Sequence, residues 1–252
     1  LNKLLSFVPL KLHIIIMNLK TLLLAASVIG VLGFQSCMKS NNNTVTTGNI
    51  MFFNGCAGNS GLYASVNSVA INNVSIPYNS ILPGGYTSVG AGTAVDIAFI
   101  NTGINEQLAP GVAINVLAGA SYSAFAGGEI GGTSSVPYVV ITTDTVPTSA
   151  YGTSYIRCIN LSPISDSTTI NVSAGSSIAL SGPLAAKGYS SFTSIAAGTY
   201  SFYSNSIAAG SSVTLPNTTL TAGKSYTLVY SGTRFATSGS GYLPAFTLIQ
   251  ND

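Results

Sequence analysis

The sequence predicts an all-β fold, two antiparallel β-sandwich domains in tandem behind a signal peptide. Three observations carry this expectation. The apolar runs after residue 48 are short, rich in Val, Ile, Thr, Tyr and Phe, and bounded by Gly, Ser, Asn or Pro, which is the signature of strands. No stretch repeats apolar residues at helical spacing. The chain also matches itself, in order, at a separation near 106 residues.

The first 36 residues read as a leader. Met17, the expected start of translation, is followed by Asn18, Leu19 and Lys20 and then by an apolar run of 14 residues at 21–34. That length suits a secretory signal and falls short of the roughly 18 to 20 residues a helix needs to cross a bilayer. Lys11, His13 and Lys20 interrupt any longer apolar stretch, and each is costly at membrane depth. The run ends in Phe34, Gln35, Ser36 and Cys37, which resembles the cleavage box of bacterial lipoproteins. That resemblance implies removal of the signal before Cys37 and lipid attachment at Cys37. Residues 37–47, with Asn41, Asn42 and Asn43, then form a flexible tether.

From Cys37 onward the basic residues are Lys39, Arg157, Lys187, Lys224 and Arg234, against Asp96, Glu106, Glu129, Asp144, Asp166 and Asp252. The formal charge of +2 on the whole chain therefore belongs to the leader. The remainder is nearly neutral and has no basic patch to attract nucleic acid. The expected partners are a membrane, reached through the lipid anchor, and a glycan or envelope protein. The expected address is the cell envelope, at the outer membrane of a Gram-negative bacterium.

The internal match has four anchors. Residues 86–93 (YTSVGAGT) repeat at 192–199 (FTSIAAGT), and 50–54 (IMFFN) at 156–160 (IRCIN), both 106 apart. Residues 118–122 (AGASY) recur at 222–226 (AGKSY), 104 apart, and 136–142 (VPYVVIT) correspond to 243–249 (LPAFTLI), 107 apart. A period this long exceeds that of solenoid units, so each copy is expected to be a domain of its own. The boundaries fall at 48–143 and 152–252, with a linker at 144–151, and the two domains are expected to be joined closely but not fused. Domains of this size bury enough surface to fold without a metal or obligatory disulfide.

In the second copy strands are expected near 155–161, 168–172, 192–195, 199–204, 212–215, 225–231 and 244–249, about the number a sandwich requires. Gly92 and Gly198, like Gly119 and Gly223, stand before strands, where a residue free to take positive φ lets the chain reverse. Cys56 and Cys158 do not occupy equivalent positions in the copies. Two readings stand open for them: a bridge between the domains, or two separate buried thiols.

The segments running from Arg157, Cys158, Ile159, Asn160 and Leu161 to Ser162 and Pro163, then Ala197, Gly198, Thr199 and Tyr200, then 222–228 (AGKSYTL), resemble the bacterial domain-of-unknown-function family 4397. The resemblance covers the second copy well and the first more loosely, because Asn54, Gly55, Cys56 and Ala57 stand where the Ser-Pro pair falls. It implies an immunoglobulin-like or related β-sandwich, frequent in exported and lipid-anchored envelope proteins and often present as tandem copies. It implies no catalytic residues.

The residues themselves offer little chemistry. His13 is the one histidine of the sequence, so residues 14–252 hold no Ser-His-Asp or Cys-His arrangement and too few ligands for zinc. No cofactor is expected. Gly223, Lys224 and Ser225 imitate the end of a phosphate-binding loop, but Thr218 occupies the position that needs Gly and a strand is expected where the motif needs a helix. Asp96 falls in an expected strand at 95–100, on a solvent face. Asp144, Thr145 and Val146, like Asp166, Ser167 and Thr168, resemble a short O-glycosylation acceptor pattern of some Gram-negative envelopes.

Tyr200 with Phe202, and Tyr226 with Leu228 and Tyr230, share sheet faces at spacing two and are expected to pack in the core. The leading functional expectation is a non-enzymatic binding or structural module presenting sandwich surfaces to a glycan or protein partner. The alternative is a glycan-active enzyme using the loop carboxylates Glu106 and Glu129 of the first copy. A third reading is a spacer.

Overall fold

In the computed structural model the described residues are 46–131, 136–147, 151–166, 169–175, 178–206, 212–236 and 241–251. Met17, Cys37 and the leader lie outside them. Among the described residues the regular structure is β-strand, apart from one short 3₁₀ turn at Ile164–Asp166.

The first half contains β1 (Thr47–Asn54), β2 (Leu62–Val66), β3 (Val69–Ala70), β4 (Ser80–Gly90), β5 (Gly92–Asn101), β6 (Glu106–Gln107), β7 (Val112–Val116), β8 (Ser121–Gly127) and β9 (Tyr138–Thr143). They form one sheet in the order β4-β1-β8-β9 and a second in the order β3-β2-β5-β6, with β7 also on β5. The second half contains β10 (Thr153–Asn160), β11 (Ile170–Ala174), β12 (Ile178–Leu184), β13 (Thr193–Ala196), β14 (Gly198–Ser206), β15 (Ser212–Leu220), β16 (Ser225–Ser231) and β17 (Ala245–Gln250). Its sheets run β13-β10-β16-β17 and β12-β11-β14-β15.

The four sequence anchors reappear as strand registers. Thr47 lies opposite Gly90 in the β1–β4 pair and Thr153 opposite Ala196 in β10–β13. The parallel pair β1–β8 sets Asn49 against Ser121, and β10–β16 sets Tyr155 against Ser225. Gly127 faces Tyr138 in β8–β9, and Ser231 faces Ala245 in β16–β17. The two halves repeat the same pairing around a central parallel pair.

Strand β12 was not among the expected strands of the second half. Its segment, IALSGPL, carries Gly182 and Pro183 and buries little. It is the outer strand of its sheet, where a missing N–H and a missing side chain are tolerated. Of the four glycines before strands, Gly119 and Gly223 take φ of 74° and 81° as expected. Gly92 is not among the positive-φ residues; it stands where the chain leaves the first sheet, after β4, for the second.

The relation between the halves also differs from the expectation of domains joined but not fused. Residues of β1 alternate between two cores. Ile50 and Phe52 pack between the sheets of the first half, where Phe52 meets Phe99 edge to face at 5.8 Å. Met51 and Phe53 point the other way, into a core built with Phe125 and Val140 from the first half and Ile159, Leu161, Val229 and Ile249 from the second. In β16, Tyr226, Leu228 and Tyr230 face the core of the second half, as their spacing predicts, while Val229 faces the shared one. The result is four stacked sheets with three cores. The central strands are covered on both faces, so burial along them is continuous rather than alternating, and β1 carries the unbroken apolar run 50–53 (IMFF). A single-domain reading of each copy cannot anticipate this, because the outer face of a sandwich sheet is ordinarily left to solvent.

Candidate binding cleft

Arg157 sits in the middle of β10, on the face that the second half turns to the first. Period-two alternation along β10 puts it on the same face as Tyr155 and Ile159, of which Ile159 packs in the shared core. Asp144 follows β9, and its N–H continues the ladder by donating to the Ser121 carbonyl at 2.8 Å. This directs its carboxylate into the same interface, where Arg157 and Asp144 side chains are 3% and 1% exposed.

Arg157 Nη2 donates to Asp144 Oδ1 at 2.5 Å, Nη1 to the Thr143 carbonyl at 3.0 Å and Nε to Thr227 Oγ1 at 2.8 Å. The second carboxylate oxygen of Asp144 accepts from Tyr86 OH at 2.5 Å and Ser123 Oγ at 2.6 Å. Thr227 Oγ1 in turn donates to Asn251 Oδ1 at 2.7 Å. Burying a charge costs heavily unless it is paired and hydrogen-bonded; here the ion pair is made, both carboxylate oxygens accept hydrogen bonds, and each guanidinium nitrogen donates one. Burial, and then the charge and hydrogen bond of Asp144, push the Tyr86 phenol well above its ordinary range, so it stays a donor.

The guanidinium has an aromatic floor, with its carbon 4.7 Å from the centre of the Phe192 ring. It also forms the wall of a cleft of about 170 Å³ lined by Thr143, Thr145, Tyr189, Ser190, Ser191 and Phe192. Tyr189 is 51% exposed at the rim. Ser190 Oγ is held in place, accepting from the Cys158 N–H at 2.9 Å and donating to the Ser191 carbonyl at 3.0 Å. Three hydrogen bonds use three of the five N–H groups of an arginine, so Arg157 retains donor capacity at the cleft. Two aromatic side chains, five hydroxyls counting that of Tyr189, and a charge-compensated guanidinium give a neutral, hydroxyl-rich surface. It suits a polyhydroxylated ligand better than a strongly charged one.

The other sequence candidates fall elsewhere. Glu106 is exposed on the edge strand β6 of one sheet, paired with Asn101, whereas Glu129 lies in the loop after β8, a strand of the other sheet, and bridges to Ala57. Asp96 is half-buried in β5, its N–H bonded to Asn67 Oδ1. Gly223 and Lys224 make the turn into β16, a strand rather than the helix a phosphate loop requires. Both aspartates of the acceptor-like triplets are engaged: Asp144 as above, and buried Asp166 with Thr233 Oγ1 and the Arg234 N–H. Thr145 is exposed; Ser167 and Thr168 lie outside the described residues. Cys37 also lies outside them.

Cys56 and Cys158 are free and buried, the first in the core of the first half and the second in that of the second. Of the two open readings, separate buried thiols is the one observed. Burial pushes both up to about 12, with the charge of Glu129 adding to the effect at Cys56.

In the sequence Arg157 stands out only as one of the few cations and within the family-like motif, and Asp144 only as one of the few anions and within the acceptor-like triplet. The signal was present in the internal alignment. IRCIN carries Arg157 where IMFFN carries Met51, and a cation in an apolar strand calls for a buried carboxylate. No protein-family model and no curated protein matches this chain.

Proposed function

We propose that this chain is a non-enzymatic envelope module that binds a glycan at the cleft framed by Tyr189, Phe192 and Arg157. The observation that carries the proposal is that cleft: aromatic faces and hydroxyls beside a buried guanidinium whose charge is already compensated. In the same reading, residues 48–143 and 152–252 are tandem immunoglobulin-like domains of the kind the resemblance to family 4397 implies. The signal and tether place them at the outer membrane of a Gram-negative cell, anchored through a lipid on Cys37. What supports this part is the sequence of residues 17–47 and the repeated strand registers of the halves.

The test uses the soluble protein from Ser40 onward on a glycan array, followed by titration of any sugar retained. Tyr189→Ala and Phe192→Ala are expected to abolish retention while the fold persists. A sugar bound equally well by both variants, or no reproducible sugar at all, overturns the cleft as the binding site.

A further inference from the structure

The halves meet through related faces. The start of β4 borders β17 along a groove lined by Phe53, Ile81, Leu248 and Ile249. The end of β9 borders β10 and the residues before β13, through Thr143, Arg157 and Phe192. In the repeated pairing β4 holds the place of β13, and β9 that of β17. The shared core takes the register partners Phe53 and Phe125 from the first half and their counterparts Ile159 and Val229 from the second, so the halves present the same sheet face to each other, the arrangement of an isologous dimer interface contained in one chain.

The hydrogen bonds near the centre repeat too. The Asp144 N–H donates to the Ser121 carbonyl, and the Asn251 N–H to that of Ser225. Ser123 Oγ donates to the Asp144 side chain, and Thr227 Oγ1 to the Asn251 side chain. Met51 pairs with Ser123 as Arg157 pairs with Thr227. The charges do not repeat. One half carries a carboxylate at 144 with a thioether at 51; the other carries a guanidinium at 157 with an amide at 251.

We propose that the Arg157–Asp144 pair is a pairing code that lets the interface face of the first half accept the second half and reject a second copy of itself. Two first halves brought together by this face would bury two carboxylates against Met51, with no cation. Two second halves would bury two guanidiniums against Asn251, with no anion. Only the mixed pairing neutralises both. In a chain whose halves have the same strand pairing, this selects the closed molecule over association between chains during folding, because rejection of wrong partners by unpaired buried charge is a general source of specificity.

The experiment reads oligomeric state by sedimentation after unfolding and refolding at increasing concentration. The wild-type chain is expected to return as monomer. The variant Arg157→Met/Asp144→Asn gives both sides of the interface the Met51–Asn251 arrangement, so it is expected to fold and to form severalfold more dimer and higher species. A third variant adds Met51→Arg and Asn251→Asp to those two changes, moving the pair to the related position. It is expected to refold as monomer again. A pairless variant that refolds as cleanly as wild type overturns the proposal, as does a transplanted pair that leaves oligomers undiminished or a wild-type chain that oligomerises equally. Circular dichroism of each refolded species confirms that folded chains are compared.

Discussion

Arg157 Nη2 and Asp144 Oδ1 meet at 2.5 Å across the interface of two halves that repeat one pattern of strand pairing, with both side chains almost wholly excluded from solvent. A pair so placed adds little to stability over an apolar substitute, but breaking it strands a charge.

Arg157→Met or Asp144→Asn alone is therefore expected to lower the unfolding free energy by about 3–5 kcal/mol. The double change should recover most of that loss, because neither charge remains. Urea unfolding of the four proteins forms a double-mutant cycle. Single changes that add without coupling would show that the pair is not the operative contact.

The core containing Met51, Phe53, Phe125 and Ile159 ties the halves together. Calorimetry of the wild-type protein is expected to give one cooperative transition for residues of both halves. Phe53→Ala should cost about 3–5 kcal/mol. Two well-separated transitions in the wild-type protein would show that the halves melt independently.

Cys56 and Cys158 are buried in different cores. Intact mass after alkylation under native conditions is expected to show neither thiol modified, and both modified once the protein is unfolded. A pair of thiols blocked in the unfolded chain and released by a reductant would reveal a bridge and contradict the structure.

The same thiols make stability fall at high pH. Burial raises each from 9.0 to about 12 in the folded protein. Below pH 9 both states keep the proton and the contribution is complete. Between 9 and 12 the unfolded chain loses protons that the folded chain retains, so unfolding becomes easier as pH rises. Chemical denaturation at stepped pH should show this decline, and Cys56→Ser with Cys158→Ser should reduce its slope.

The anchor rests on the sequence around Cys37. Cys37→Ala is expected to release the protein from membranes in cell fractionation. Continued membrane association would sink the lipid-attachment reading.

The strands were largely legible in the sequence because β-branched and aromatic runs between small-residue turns are a local signal, and their repetition near 106 residues marked β1 and β8 as the counterparts of β10 and β16, whereas their parallel pairing appears only in the fold. Strand β12 escaped because Gly182 and Pro183 erase that signal, and an edge position makes their presence harmless. The cleft was mostly illegible: Thr143 and Arg157 are far in the chain from Tyr189 and Phe192, and each is unremarkable alone.

What the sequence determined by itself was the class of fold, the repeat and the scarcity of catalytic groups, since these follow from composition and local period. Only the tertiary structure decided that the two halves share a core, that Arg157 finds Asp144, and that the two cysteines stay apart. Those outcomes depend on which face of one sheet meets which face of another. A period-two pattern states that a strand has two faces, and nothing in it states what each face will touch.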